Sequence, residues 1–185
     1  MIFAHFKVFF RIERSTLSCT RSIVDDSNKS NTSCSENKLR CIYMNARSIV
    51  NKIKELKIMI EEENVDIISI TETWLNDNVT DDEVSINGYT LFRKDRRDEV
   101  KCRGGGVAMY IKNELSPTFN SDLENDNFLE SIWCSIGFGS DTTILGVCYR
   151  APDSIESNDE KLYNLLNRLK KTVKSLLWVI LIFLS

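Results

Sequence analysis

The stretch from Leu39 to Ile70 limits the fold more than any other part of the chain. Leu39–Met44 (LRCIYM) reads as a strand ending at Asn45, and Val65–Ile70 reads as a second strand. Between them, Ile49, Ile53, Leu56 and Ile60 recur at helical spacing with Lys and Glu in the gaps, which predicts a helix over Ser48–Asn64 with Ser48 as its N-cap. A strand–helix–strand unit normally closes right-handed with its strands parallel. Asn45 and Glu72 should then leave the sheet at one edge, the C-terminal ends of neighbouring strands, where open α/β sheets place their chemistry.

Glu72 stands out at that edge. In DIISITETWL (Asp66–Leu75) an apolar strand runs into one carboxylate held between two threonines. Two roles fit such an acid: a capping or turn residue, or a metal ligand at the mouth of the sheet.

Downstream, YTLFR (Tyr89–Arg93) is a short strand, followed by the charged loop KDRRDEVKCR. Gly104–Lys112 (GGGVAMYIK) reads as a tight turn into a strand; no G-K-[ST] follows, so it is not a phosphate-cradling P-loop. Ser131–Phe138 and Thr142–Arg150 form a predicted hairpin around Gly139, Ser140 and Asp141. Asp159–Lys174 is a second amphipathic helix, with Leu162, Leu165, Leu166, Leu169 and Val173 on one face, and Leu176–Leu184 a final buried strand. Residues 15–37, rich in Ser, Asn, Thr and Asp, bury too little to offset ordering entropy and are expected to be a flexible linker after an apolar start. The division is therefore 1–37 and 38–185, with regular structure from Lys38.

A chain of 185 residues suits one domain, and a net charge of −3 gives no basic signature of charge-driven nucleic-acid coating. The six cysteines are scattered, without a C-x-x-C pair, which argues against zinc and for a reduced, intracellular protein of the nucleus or cytoplasm. Cys41, Cys134 and Cys148 lie in strand-like runs, as small hydrophobes. The run Leu176–Leu184 is too short to span a bilayer, which takes roughly 20 residues, so no membrane association is expected.

NARSIVNKIKEL, DIISITETWL, INGYTLFRKDR, GGGVAMYI and GVCYRAP occur in this order and resemble the apurinic-type endonuclease domain of non-LTR retrotransposons, within the endonuclease/exonuclease/phosphatase superfamily. The resemblance covers about residues 38–180. It implies a DNase I-like four-layer α/β sandwich, two sheets flanked by helices, and Mg2+-dependent cleavage of a phosphodiester in DNA. Carried over residue by residue, Glu72 corresponds to the metal-binding acid, Asn45 to the first-strand amide at the metal–phosphate centre, and Tyr149 to the phenol that contacts the scissile phosphate. For Arg47, Lys52, Arg93, Arg96 and Arg97, contact with a nucleic-acid backbone is one reading and surface solvation the safer one.

The resemblance also implies a later G-D-x-N block and a Ser-Asp-His block. No Asp or Asn follows Asn167, and the sole histidine, His5, lies in the apolar start, where packing or exposure is the plainer reading. The chain is accordingly expected to be an incomplete sandwich, a C-terminally truncated fragment with little or no activity alone, prone to self-association through exposed strand edges. The alternatives are a non-enzymatic protein-binding remnant and a phosphatase of the same superfamily.

Overall fold

The computed structural model describes residues 7–13, 20–21, 38–96, 104–126, 128, 130–138, 141–151, 154–172 and 177–183. Two sheets carry the structure. The first has six strands: β1 (Lys7–Glu13), β2 (Thr20–Arg21), β3 (Lys38–Asn45), β4 (Ile67–Thr71), β5 (Tyr89–Lys94) and β6 (Val107–Lys112), in spatial order β2-β1-β3-β4-β6-β5. The second has β7 (Thr118–Phe119), β8 (Ser131–Phe138), β9 (Asp141–Arg150) and β10 (Leu177–Phe183), in order β10-β9-β8-β7. The helices are α1 (Ile53–Glu63), the single turn α2 (Asp81–Val84) and α3 (Glu156–Thr172).

Strand alternation sorts the apolar side chains into layers. Leu39, Cys41, Ile67, Val107, Met109 and Ile111 of the first sheet pack against Ile132, Cys134, Ile136, Leu145, Val147 and Tyr149 of the second. The intervening residues Ile42, Met44, Ile68, Ile70, Ala108 and Tyr110 face the other way and meet Leu56, Met59 and Ile60 of α1. On the far side of the second sheet, Trp133 and Cys148 pack on Leu162, Leu165 and Leu169 of α3. The result is helix, sheet, sheet, helix. Strands buried on both faces lose the polar alternation of a half-wet sheet, which is why LRCIYM and GGGVAMYI read as continuous apolar runs. Cys41, Cys134 and Cys148 are buried free thiols within these strands.

The parallel β3–β4 pair forms as the strand–helix–strand pattern requires, with Asn45 opposite Thr71. The β8–β9 hairpin also forms, with Ser131 opposite Cys148. Three local expectations change. Regular structure begins upstream of Lys38: β1 pairs antiparallel with β3 from Lys7↔Met44 to Glu13↔Lys38, and Thr20–Arg21 adds β2 beside it. The rest of the polar run lies outside the described residues. Ser48 does not cap a helix; it has φ +81°, and α1 begins only at Ile53 after a 3-10 turn over Val50–Lys52. Arg93 is not a solvated surface cation: it pairs with Asp81 at 3.0 Å and Asp95 at 2.7 Å and donates to the Val79 carbonyl at 2.8 Å, pinning α2 to β5. The run predicted as the last strand does form β10, parallel to β9.

One close approach in the second sheet can be tested. Gly146 lies opposite Trp133, and a Cβ there would overlap the indole ring. Gly146→Ala is expected to lower stability by about 1–3 kcal/mol, the usual range for overpacking a filled core; a urea midpoint equal to wild type would refute this packing.

Candidate functional site at the strand ends

The loops leaving β3 and β4 are stitched together by backbone hydrogen bonds. Ala46 N donates to Thr71 O, Ser48 N to Glu72 O and Ile49 N to Thr73 O, at 2.9–3.0 Å. To make these contacts both loops enter the left-handed region at non-glycine residues: Arg47 (φ +43°), Ser48 (+81°), Glu72 (+55°) and Trp74 (+55°). Such strain persists only where surrounding structure over-determines it, and it concentrates at functional sites. The two threonines flanking Glu72 are fully buried, and the Thr71 hydroxyl lies 2.8 Å from the Tyr43 hydroxyl. Glu72 is therefore held by its backbone on both sides instead of being carried on a loose loop.

The Glu72 carboxylate accepts at Oε2 from Trp74 Nε1 at 2.5 Å and from Gly105 N at 3.1 Å, and the Tyr149 hydroxyl is near enough to influence it. Burial alone would raise its pKa. The neighbouring Tyr149 hydroxyl, the bonds from Trp74 and Gly105 and the nearby Arg96 charge outweigh that and hold the carboxyl below the ordinary glutamate value of 4.5. The same proximity works in reverse on Tyr149: burial, the neighbouring Glu72 carboxylate and the charge of Glu130 push its phenol well above the usual range, so it keeps its proton. Asn45 ends β3 opposite Thr71, the residue before Glu72; it is only 8% exposed, and its Oδ1 has no hydrogen-bond partner.

The lowered Glu72 pKa sets a sign for pH dependence. Its contribution to stability is fully present above pH 4.5 and is lost as pH falls through the lower folded-state value. Wild type is therefore expected to lose more stability than Glu72→Gln between neutral pH and that acid window. Urea midpoints for both proteins at pH 7 and below pH 4.5 check this, and parallel losses would contradict it.

One acid at the site carried no expectation from the sequence. Glu130, just before β8, is 9% exposed; its Oε2 pairs with Arg96 Nη2 and its Oε1 accepts from Gly106 N at 2.8 Å. Arg96 is thus an ion-paired, largely covered side chain and not a solvated one. The glycine run makes a tight turn into β6, as read, but its amides also serve Glu72 and Glu130. Three consecutive glycines at φ +106°, +72° and +82° shape the turn that aims the Gly105 amide at Glu72 and the Gly106 amide at Glu130. The sequence clue was available: an acid directly before SIWCSI is as unusual at a strand entrance as Glu72 is at a strand exit. Of the other basic residues, Lys52 donates to the Ala46 carbonyl, Arg47 is exposed, and Arg97 lies outside the described residues, as does His5.

Among the described residues, no three His, Cys, Asp or Glu side chains gather into a metal cluster. A hard ion such as Mg2+ does not need one, since it is held by one or two carboxylates and keeps several waters. An ionised Glu72 at the exit of β4 and, at the paired end of β3, a buried Asn45 oxygen that lacks a partner make a donor set of that kind. The residues fit.

A sandwich of two sheets between helices, with an ionised carboxylate, a protonated phenol and an amide at the strand ends, defines a DNase I-like class of α/β protein. Residues 39–177 match the endonuclease/exonuclease/phosphatase family, and the chain belongs to that family. Among solved structures, an AP endonuclease from Leishmania major is similar at 18% identity and TM-score 0.59, over 74% of this chain and 50% of that one. The endonuclease domain of TRAS1, a telomere-specific non-LTR retrotransposon, is similar at 16% identity and TM-score 0.53, over 76% and 57%. A 3′ phosphatase from Neisseria, bound to a product DNA hairpin, is similar at 13% identity and TM-score 0.51, over 74% and 55%. The chain spans little more than half the length of these structures. Comparison with curated proteins returns no match. No helix among the described residues is long and apolar enough to cross a membrane.

Proposed function

We propose that this chain carries the metal- and phosphate-binding part of a Mg2+-dependent DNA endonuclease site of the retroelement type. The observation that carries this reading is the Glu72 carboxylate, fixed by Trp74 Nε1 and Gly105 N at the end of the first sheet, with Tyr149 of the second sheet near enough to perturb it and Asn45 at the neighbouring strand end. Glu72 and the Asn45 amide oxygen would hold the ion. When bound, Mg2+ polarises a phosphoryl oxygen and offsets the charge that builds on the leaving alkoxide. The protonated Tyr149 hydroxyl is a neutral donor suited to a phosphate oxygen, and it does not compete for the cation. Trp74 and Gly105 keep the Glu72 carboxylate oriented and ionised, so no proton has to leave before a cation binds. The retroelement assignment draws on the ordered motifs from Asn45 to Pro152 and on the likeness to the TRAS1 domain.

No described side chain offers an imidazole for general acid–base work, because the sole histidine is His5. With Mg2+ the chain alone is expected to leave supercoiled plasmid essentially unnicked, and nicking should appear when a polypeptide supplying G-D-x-N and Ser-Asp-His segments is added. That restored nicking should disappear with Glu72→Gln. Failure of the supplement to restore nicking, or restoration that ignores Glu72, would overturn the reading.

A further inference from the structure

We propose that Arg96 and Glu130 are positioning residues for the Glu72 centre: their ion pair pins the glycine turn that donates to Glu72 and cancels its own charge, leaving Glu72 as the single uncompensated carboxylate offered to a divalent cation. This inference rests on the metal-binding reading above and adds the device that maintains it.

Geometry carries the argument. Glu130 holds three elements at once. One carboxylate oxygen takes the Gly106 amide, the other takes the Arg96 guanidinium, and its backbone carbonyl accepts from Tyr149 N at 2.9 Å. Arg96 follows β5 and Gly106 precedes β6, both in the first sheet, whereas Glu130 and Tyr149 belong to the second. The pair therefore clasps the two sheets beside the site, fixing Tyr149 relative to Glu72. Gly105 sits at the centre of this clasp. Its amide is aimed at Glu72, and its Cα lies so close to Arg96 and Glu130 that a Cβ would come within 2.6 Å of Glu130 Oε1 and overlap the guanidinium.

Charge completes it. Arg96 lies in the field of Glu72 as well as of Glu130. A lone cation there would repel an incoming metal ion, and a lone second carboxylate would attract one. With the pair intact, the three groups sum to −1. Partly buried charges are weakly screened, so this sum is felt at the metal position.

The test measures Mn2+ binding by the full chain, by calorimetry at low salt. Glu130→Gln keeps the side-chain shape and leaves Arg96 uncompensated, and binding is expected to weaken about tenfold, equivalent to 1.4 kcal/mol. Arg96→Gln is expected to strengthen it several-fold, while Arg96→Lys and the double Arg96→Gln/Glu130→Gln variant stay near wild type. A purely structural role would weaken binding in both single variants, so shifts of the same sign, or no shift, overturn the charge assignment. Should wild type and Glu72→Gln bind Mn2+ equally weakly, the metal reading itself fails. Amide hydrogen exchange then decides the positioning claim: Glu130→Ala should accelerate exchange at Gly105, whose amide donates to Glu72 and not to Glu130, and unchanged protection there refutes it.

Discussion

Glu72→Gln is expected to reduce affinity for Mg2+ or Mn2+ by about a hundredfold while leaving the fold intact. The substitution removes one charge at contact distance from a divalent ion, and in a partly solvated site that is an effect of several kcal/mol before relaxation. Shape is preserved. A glutamine Oε1 can still accept from Trp74 Nε1 and Gly105 N, so the bonds that orient the side chain survive. What is lost is the anion that those donors and Arg96 keep deprotonated. Calorimetric titration with either ion, paired with a urea curve at pH 7, separates the two effects. Retained affinity would remove Glu72 from the metal site, and a collapsed fold would recast it as a structural anchor.

Gly105→Ala should do the opposite, harming fold and site together. At φ +72° an L side chain costs about 1–2 kcal/mol, and the added methyl also meets Arg96 and Glu130 where neither can retreat without breaking the ion pair. Together with overpacking of about 1–3 kcal/mol, the loss should be about 3 kcal/mol, seen as a lower urea midpoint and as weakened Mn2+ binding. Gly88 is the control. It too has positive φ (+81°), but no neighbour stands within 4 Å of its Cβ position, so Gly88→Ala should show only the backbone cost and leave ion binding unchanged. Equal losses at the two positions would mean that Gly105 is needed for its dihedral alone and not for the clasp.

How much could be read in advance varied with the range of the interaction. The parallel β3–β4 pair and the amphipathic faces of α1 and α3 were legible because helical and strand periods are local properties of the chain. Helix onset was not: Ser48 has the right chemistry for a cap, but backbone bonds to the exit of β4 claim the residues from Ala46 to Ile49 first, and the helix waits until Ile53. Likewise β1 is a short apolar run with no period of its own, and its partner β3 gives it a place in the sheet.

By itself the sequence determined the alternation of strands and helices, the placing of Glu72 and Asn45 at one sheet edge, and the ordered motifs that mark the family, because each depends on residue order and spacing. Only the tertiary structure decided that Tyr149 comes near Glu72 across the two sheets, that Arg96 pairs with Glu130 instead of facing water, and that the Gly105 and Gly106 amides turn toward two carboxylates. Those contacts join residues from 24 to 77 positions apart, and no local pattern encodes which side chains will meet once two sheets are packed face to face.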